Sequence, residues 1–68
     1  MDRLAVASSN LVSVGYETDT QTLEIEFKWS IYRYFDVPSY VYEELMNAAS
    51  KGSYHHQNIK SSYQYERV

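Results

Sequence analysis

Tyrosines two residues apart are the feature of this chain that most directly suggests a binding function. The sequence has eight tyrosines in 68 residues, and Tyr32-Arg33-Tyr34 lies near its centre. Aromatic side chains two apart on an exposed strand can stack the bases of single-stranded nucleic acid. The same spacing also places two aromatic side chains into a protein core. The neighbouring strands must decide between the two interpretations.

A second candidate is the segment Ser50-Lys51-Gly52-Ser53, which lies between two predicted helices. Free backbone amides at a helix start, with a lysine beside them, can hold a phosphate or a carboxylate. We expect Lys60 to approach the same helix end. The alternative is that these residues only end one helix and begin the next, and the sequence favours this structural interpretation.

Two adjacent histidines, His55 and His56, point in different directions on a helix, so they cannot bind one metal ion in the usual i, i+4 manner. We therefore expect exposed helix histidines and no metal site. No catalytic triad spacing, glycine-rich phosphate loop or paired-carboxylate motif is present. The sequence predicts a protein that is not an enzyme and uses no cofactor.

Length and charge narrow the class further. A chain of 68 residues has room for a single domain, 1–68, and its core is expected to give modest stability. The net charge of −3 and the spread of the six cations argue against a broad basic face for nucleic acid. No membrane span or signal peptide is apparent, and the cytoplasm is the expected location. Without cysteines, a homodimer is one route to extra stability.

Alternation of apolar and polar residues predicts strands over 11–17 and 22–28, joined by a hairpin loop at 18–21, and a third strand over about 30–36. If Glu17 faces Thr22, then Tyr16 faces Leu23, Val14 faces Ile25 and Val12 faces Phe27. With a tight loop at Trp29-Ser30, Phe27 would face Tyr32, Ile25 would face Tyr34 and Glu26 would face Arg33. This register places the two tyrosines in the core and leaves Glu17, Glu24 and Glu26 on the solvent face.

Helices are predicted after Pro38, which suits a first helical position. Val41 and Leu45 recur at helical spacing and can cover the sheet. Gly52 is expected to end this helix as a left-handed cap, and Ser53 to begin a second helix that runs to about Lys60. The predicted fold class is α+β: a three-stranded antiparallel meander packed by one helix, then a short second helix and a C-terminal edge strand within 62–67. Buried tyrosine hydroxyls would find partners in Ser8, Ser9 and Asn10, on an N-terminal arm folded along the sheet.

The whole chain resembles the KTSC domain, a short module at the C-terminus of some lysyl-tRNA synthetases and a free-standing protein in bacteria and phages. The resemblance rests on motifs in a matching order: Val14-Gly15-Tyr16, Leu23-Glu24-Ile25-Glu26-Phe27, Tyr32-Arg33-Tyr34, Val37-Pro38, 49–54 and Ile59-Lys60. The family usually has a glycine in the turn before the Tyr-x-Tyr strand, where this chain has Trp29-Ser30. The resemblance implies an RNA-binding role, which has been suggested for the family from its attachment to a synthetase.

Two functions are therefore expected. The first is a non-catalytic binder of RNA or a nucleotide phosphate that uses Lys51, Ser53, Tyr54, Lys60, Arg33, Tyr63 and Arg67. The second is a protein-interaction module or homo-oligomer, including a phage-encoded protein that acts on a host factor. Its interface would be formed by exposed aromatic residues, namely Trp29, Phe35 and Tyr40.

Overall fold

The computed structural model describes residues 1–68 and contains one antiparallel sheet of five strands, ordered as they follow along the chain. The strands are β1 (Leu4–Ala5), β2 (Leu11–Glu17), β3 (Thr22–Phe27), β4 (Ile31–Tyr34) and β5 (Tyr65–Arg67). Two helices, α1 (Ser39–Asn47) and α2 (Lys51–Asn58), lie between β4 and β5 in sequence. The α+β class, the central meander and the C-terminal edge strand are confirmed. The short strand β1, formed by the N-terminal arm, was not predicted as a strand.

The hairpin of β2 and β3 has the predicted register over most of its length. Glu17 pairs with Thr22, Tyr16 with Leu23 and Val14 with Ile25. The predicted pairing of Val12 with Phe27 is wrong, because the register shifts between Leu11 and Ser13 and Leu11 takes that place. A bulge sets two residues against one and reverses the alternation of faces. Leu11 is accordingly 2% exposed and Val12 is 39% exposed.

The pairing of β3 with β4 differs from the prediction by two residues. Tyr32 pairs with Ile25, Tyr34 with Leu23 and Arg33 with Glu24. The tight turn is formed by Lys28 and Trp29, one residue earlier than predicted, because the Phe27 amide donates to the Ser30 carbonyl at 2.7 Å. A shift of two keeps every side chain on its predicted face. Tyr34 is therefore buried in the core, and Tyr32 packs against it half-buried.

The core lies between one face of the sheet and the helices. Ten buried apolar residues form it, including Val41 and Leu45 of α1 and Ile59 beyond α2. The prediction that buried tyrosine hydroxyls bond to Ser8, Ser9 or Asn10 is wrong. Tyr16 donates to the Val37 carbonyl at 2.5 Å, and the Tyr34 hydroxyl lies 2.7 Å from His55 Nε2.

The boundary between the helices differs from the prediction. Ser50 is the N-cap of α2, and its hydroxyl accepts from the Ser53 amide at 3.3 Å. Gly52 lies inside α2 with a negative φ, so it is not a left-handed cap, and Ser53 does not cap a helix. A serine one turn earlier satisfies the free amides, which lets α2 begin before the glycine. Neither helix has the length and apolar character needed to cross a membrane.

Candidate functional site

The main depression of the surface is a cleft of about 640 Å³ beside α2, which we call the aromatic cleft. Its walls come from the start of β2, the β3–β4 connection, strands β4 and β5, and one side of α2. Pockets of about 300–1,000 Å³ are typical of small-ligand sites. The residues that line it are Asn10, Leu11, Phe27, Trp29, Tyr32, Tyr34, Gly52, His55, His56, Lys60, Ser61 and Tyr65.

Trp29 forms one wall of the aromatic cleft from the β3–β4 connection. Its ring stacks on Phe27 with centroids 5.2 Å apart and planes 16° apart. The side chain is nevertheless 59% exposed, so the stack occupies one face of the indole and leaves the other open. A planar group can stack on that open face.

Tyr65 lies on the edge strand β5 and forms part of the wall of the aromatic cleft. Its ring meets Tyr32 edge to face at 5.6 Å and lies 5.6 Å from the Tyr34 ring. The residue is 57% exposed. Trp29 and Tyr65 therefore give the aromatic cleft two exposed aromatic surfaces, each held by a contact with a more buried ring.

His55 connects the aromatic cleft to the core, so the prediction that both histidines are exposed is wrong for His55. Its ring packs against Phe27 with centroids 4.9 Å apart, and its Nε2 bonds to the Tyr34 hydroxyl. Burial, together with the positive charges of Lys60 and His56, lowers the pKa of His55 to about 4. Burial also raises the pKa of Tyr34 to about 12. Both side chains are therefore neutral at pH 7, and only His56 is an exposed histidine.

The charges around the aromatic cleft differ from the charge of the whole chain. No aspartate or glutamate is among the lining residues, although the chain has nine carboxylates and a net charge of −3. Lys60 lies in the wall, and Arg67 pairs with Tyr32 and so shares its face of the sheet. The aromatic cleft is consequently the part of an acidic protein that suits an anionic ligand.

The other face of the sheet contains an ion-pair network. Glu24 is 6% exposed and accepts hydrogen bonds from Arg3 and, at 2.8 Å, from Arg33. Burial favours the neutral carboxyl, but the two guanidinium groups outweigh it and hold the pKa of Glu24 below its ordinary value. The prediction that Glu24 lies on a solvent face is therefore wrong, because the N-terminal arm covers it.

The residues predicted to hold an anion do not form one cluster. Lys51 begins α2 and donates to the Ala48 carbonyl at 3.3 Å, while Lys60 lies past the other end of this helix, which is about 12 Å long. The expectation that Lys60 approaches the start of α2 is thus wrong. Arg33 lies on the opposite face of the sheet with Glu24. Only Lys60 and Arg67 lie on the side of the aromatic cleft.

The tyrosines of the predicted anion site have structural contacts. Tyr54 donates to Glu44 Oε1 at 2.6 Å, and burial together with this bond raises its pKa to about 12. Tyr63 is half-buried and packs against the core. Ser53 is bonded to the N-cap of α2.

The predicted interface residues are all exposed but lie in three places. Trp29 belongs to the aromatic cleft. Phe35 follows β4 and lines a smaller depression on the opposite face, together with Arg33 and Glu24. Tyr40 is in the first turn of α1. They do not form one continuous patch.

Sequence reasoning missed several residues of the aromatic cleft, chiefly Asn10, His56, Ser61 and Tyr65. The sequence contained one signal for this site. His55, His56 and Lys60 follow Gly52 by three, four and eight residues, a spacing that places all four on one side of a helix. No such pattern connects Asn10 or Tyr65 to that helix. No three His, Cys, Asp or Glu side chains are grouped so that they could hold a metal ion.

The chain is similar to a known protein family and to several known proteins. The model of the KTSC domain matches residues 7–63. A lysine–tRNA ligase of Trichormus variabilis is 54% identical over 54 residues, which are 78% of this chain and 10% of the ligase. The chain therefore spans about a tenth of the length of the ligases that it matches.

Two further proteins match over their whole length. An uncharacterized protein of Stutzerimonas stutzeri is 41% identical over 70 residues, covering 100% of this chain and 99% of that protein. The crystal structure of a KTSC domain protein from Yersinia pestis superposes with a TM-score of 0.96 at 34% identity, covering 98% of this chain and 96% of that one. Sequences similar to this chain thus make up nearly all of two small chains and about a tenth of much larger ligases.

Proposed function

The chain belongs to the KTSC domain family, and we propose that it is a non-catalytic module that binds single-stranded RNA in the aromatic cleft. One observation carries the proposal: the aromatic cleft joins two exposed aromatic rings, Trp29 and Tyr65, to a lysine and contains no carboxylate. Proteins that bind single strands combine aromatic stacking platforms with cations that follow the phosphates. The aromatic cleft has both elements.

The bases and the phosphates would use different parts of this site. The open face of Trp29 and the ring of Tyr65 are available for stacking, which contributes roughly 1–3 kcal/mol per base. Lys60 and Arg67 are the cations on the same side of the sheet. Two cations give a weak electrostatic contribution, so we expect micromolar or weaker affinity that falls with salt.

The relatives add support by analogy. A segment similar to this chain stands within lysine–tRNA ligases, and those enzymes are named for an RNA substrate. A fold shared with an enzyme does not transfer the activity of that enzyme. The proposal for this chain is therefore binding, without the ligase reaction.

Fluorescence polarisation with labelled single-stranded RNA and with tRNA, at low and at moderate salt, tests the proposal. We expect Trp29→Ala to weaken binding by about 1–3 kcal/mol, roughly 5-fold to 150-fold. Tyr40→Ala is the matched control, because Tyr40 is also 59% exposed but lies outside the aromatic cleft. Wild-type protein that binds no RNA at low salt would overturn the proposal, as would equal losses in both variants.

A second candidate is a protein-interaction module or homo-oligomer that uses the same exposed Trp29. Exposed tryptophans are frequent anchors of protein interfaces. The variant Lys60→Glu separates the candidates, because it reverses a phosphate contact and leaves the aromatic surface unchanged. Light scattering that shows a dimer, converted to a monomer by Trp29→Ala but not by Lys60→Glu, would favour the second candidate. A monomer at every concentration would exclude the homo-oligomer.

A further inference from the structure

Gly52 is a residue whose identity the fold itself does not require. It lies in the first turn of α2 with an ordinary helical backbone, so the conformational freedom of glycine is not used. A Cβ added there would meet no atom within 4 Å, so close packing does not require a glycine either. Alanine is the better helix former at such a position. Neither backbone conformation nor packing therefore explains the glycine.

The missing side chain leaves space in the aromatic cleft. Gly52 is one of the lining residues and lies on the same side of α2 as His55, one turn further along. A methyl group at Gly52 would project into open volume, because no protein atom fills that position. Glycine is common where a ligand approaches the backbone closely.

The size of the aromatic cleft suits a single small planar group better than several consecutive nucleotides. Its volume is about 640 Å³, within the range of small-ligand pockets. Trp29 offers a single open aromatic face, since Phe27 covers the other. The polar side chains of Asn10 and Ser61 line the aromatic cleft as well and can form hydrogen bonds with the edge of a base.

We propose that the aromatic cleft takes one unpaired nucleobase, stacked on the open face of Trp29 and admitted against the backbone of α2 because residue 52 is glycine. This inference rests on the proposed function and names its ligand: a single flipped-out or terminal nucleotide, with its phosphate beside Lys60. A base within a double helix is stacked and paired, so it cannot enter.

Trp29 is the single tryptophan of the chain, so its fluorescence reports directly on the aromatic cleft. The titration uses adenosine and uridine 5′-monophosphates, and in parallel the labelled RNA described above. We expect quenching that saturates with the wild-type protein. Gly52→Ala should weaken both mononucleotide and RNA binding at least tenfold while raising Tm by a few degrees, because alanine favours the helix.

The matched control is Gln57→Ala, a substitution in the same helix α2 at a residue that is exposed and outside the aromatic cleft. A combination of weaker binding with higher thermal stability cannot come from partial unfolding. Wild-type binding by Gly52→Ala would overturn the inference, as would RNA binding without any mononucleotide quenching, and both results leave the proposed RNA function standing. Quenching by mononucleotides without RNA binding would keep the nucleobase site and overturn the RNA function.

Discussion

The two glycines of this chain mark two regions that differ in how completely the protein fills them. A Cβ at Gly15 would lie 2.8 Å from the Asp2 carbonyl oxygen and 3.0 Å from Arg3 Cγ, since the N-terminal arm crosses β2 there. A Cβ at Gly52 would meet nothing. The first glycine admits a part of the protein itself, and the second leaves room for something that is not part of it.

The surroundings of the two glycines differ in the same way. Beside Gly15, the N-terminal arm covers Glu24, and Arg3 and Arg33 neutralise its charge; we call this covered area around Glu24 the closed region. Beside Gly52, Trp29 is open and Lys60 has no carboxylate in the same wall. Its positive charge alone would suggest that Arg33 binds an anionic ligand. Arg33 is instead paired with Glu24 within the protein. Unsatisfied surface is the better guide to function here.

Removing the carboxylate of Glu24 should have the largest effect. We expect Glu24→Gln to lower the free energy of unfolding by about 3 kcal/mol, because it weakens charge-assisted hydrogen bonds to Arg3 and Arg33 in a buried position. Urea unfolding measures the loss. Glu17→Gln, at the half-exposed end of β2, serves as the control. A loss below 0.5 kcal/mol would show that this network does not hold the closed region together.

As the pH is lowered, protonation of His55 at the aromatic cleft should reduce the stability of the protein at a higher pH than protonation of Glu24 in the closed region. The pKa of His55 is about 4 in the folded protein and ordinarily 6.5. As the pH falls, His55 is therefore protonated in the unfolded chain at a higher pH than in the folded protein. Stability is full above pH 6.5 and falls as the pH drops towards 4, by at most about 1.4 kcal/mol per pH unit.

The lowered pKa of Glu24 adds a second loss, which begins below its ordinary value of 4.5. Unfolding at a series of pH values checks both contributions. His55→Gln should flatten the dependence between pH 6.5 and 4.5, and His56→Gln should not. The same slope in both variants would contradict the assignment.

Filling the space at Gly15 should cost about 1–2 kcal/mol, in contrast to the stabilisation expected at Gly52. The cause is specific, because the added methyl displaces the backbone at Asp2. Shortening the arm by residues 1–3 gives a matched background in which Gly15→Ala should have a much smaller effect. A cost that persists in the shortened chain would mean that the arm is not the cause.

The smallest expected effect separates two lysines near opposite ends of α2. Lys60→Glu should weaken RNA binding about tenfold, since Lys60 lines the aromatic cleft. Lys51→Glu should change it little, because Lys51 is bonded to Ala48 at the other end of α2. Polarisation titrations at two salt concentrations compare them. Equal losses would move the anion contact back to the start of α2.

Much of the fold could be predicted because it depends on local pattern. Alternation identified β2, β3 and β4 and the apolar face of each, and helical spacing identified Val41 and Leu45. The errors arose where the pattern carries no information. A register shift of two residues leaves every face unchanged, so alternation could not detect it between β3 and β4. The bulge that exchanges Leu11 for Val12 also depends on neighbouring strands.

The candidate site was predicted less well than the fold. Trp29 and Lys60 were among the predicted residues, but they were assigned to two different functions. The residues that join them, Tyr65 and His55, come from a short exposed strand and from a helix whose apolar pattern is weak. Neither segment signals its contacts in its own sequence.

The amino-acid pattern was sufficient to predict which side chains share a face, because the periods of strand and helix follow from backbone geometry alone. It could not predict that the N-terminal arm covers Glu24 on one face or that α2 leaves a cleft on the other, which are results of tertiary packing. These outcomes depend on how segments far apart in the chain meet. Burial of apolar surface drives that packing. The net stability is the small difference between this gain and the loss of conformational entropy, both summed over the whole domain.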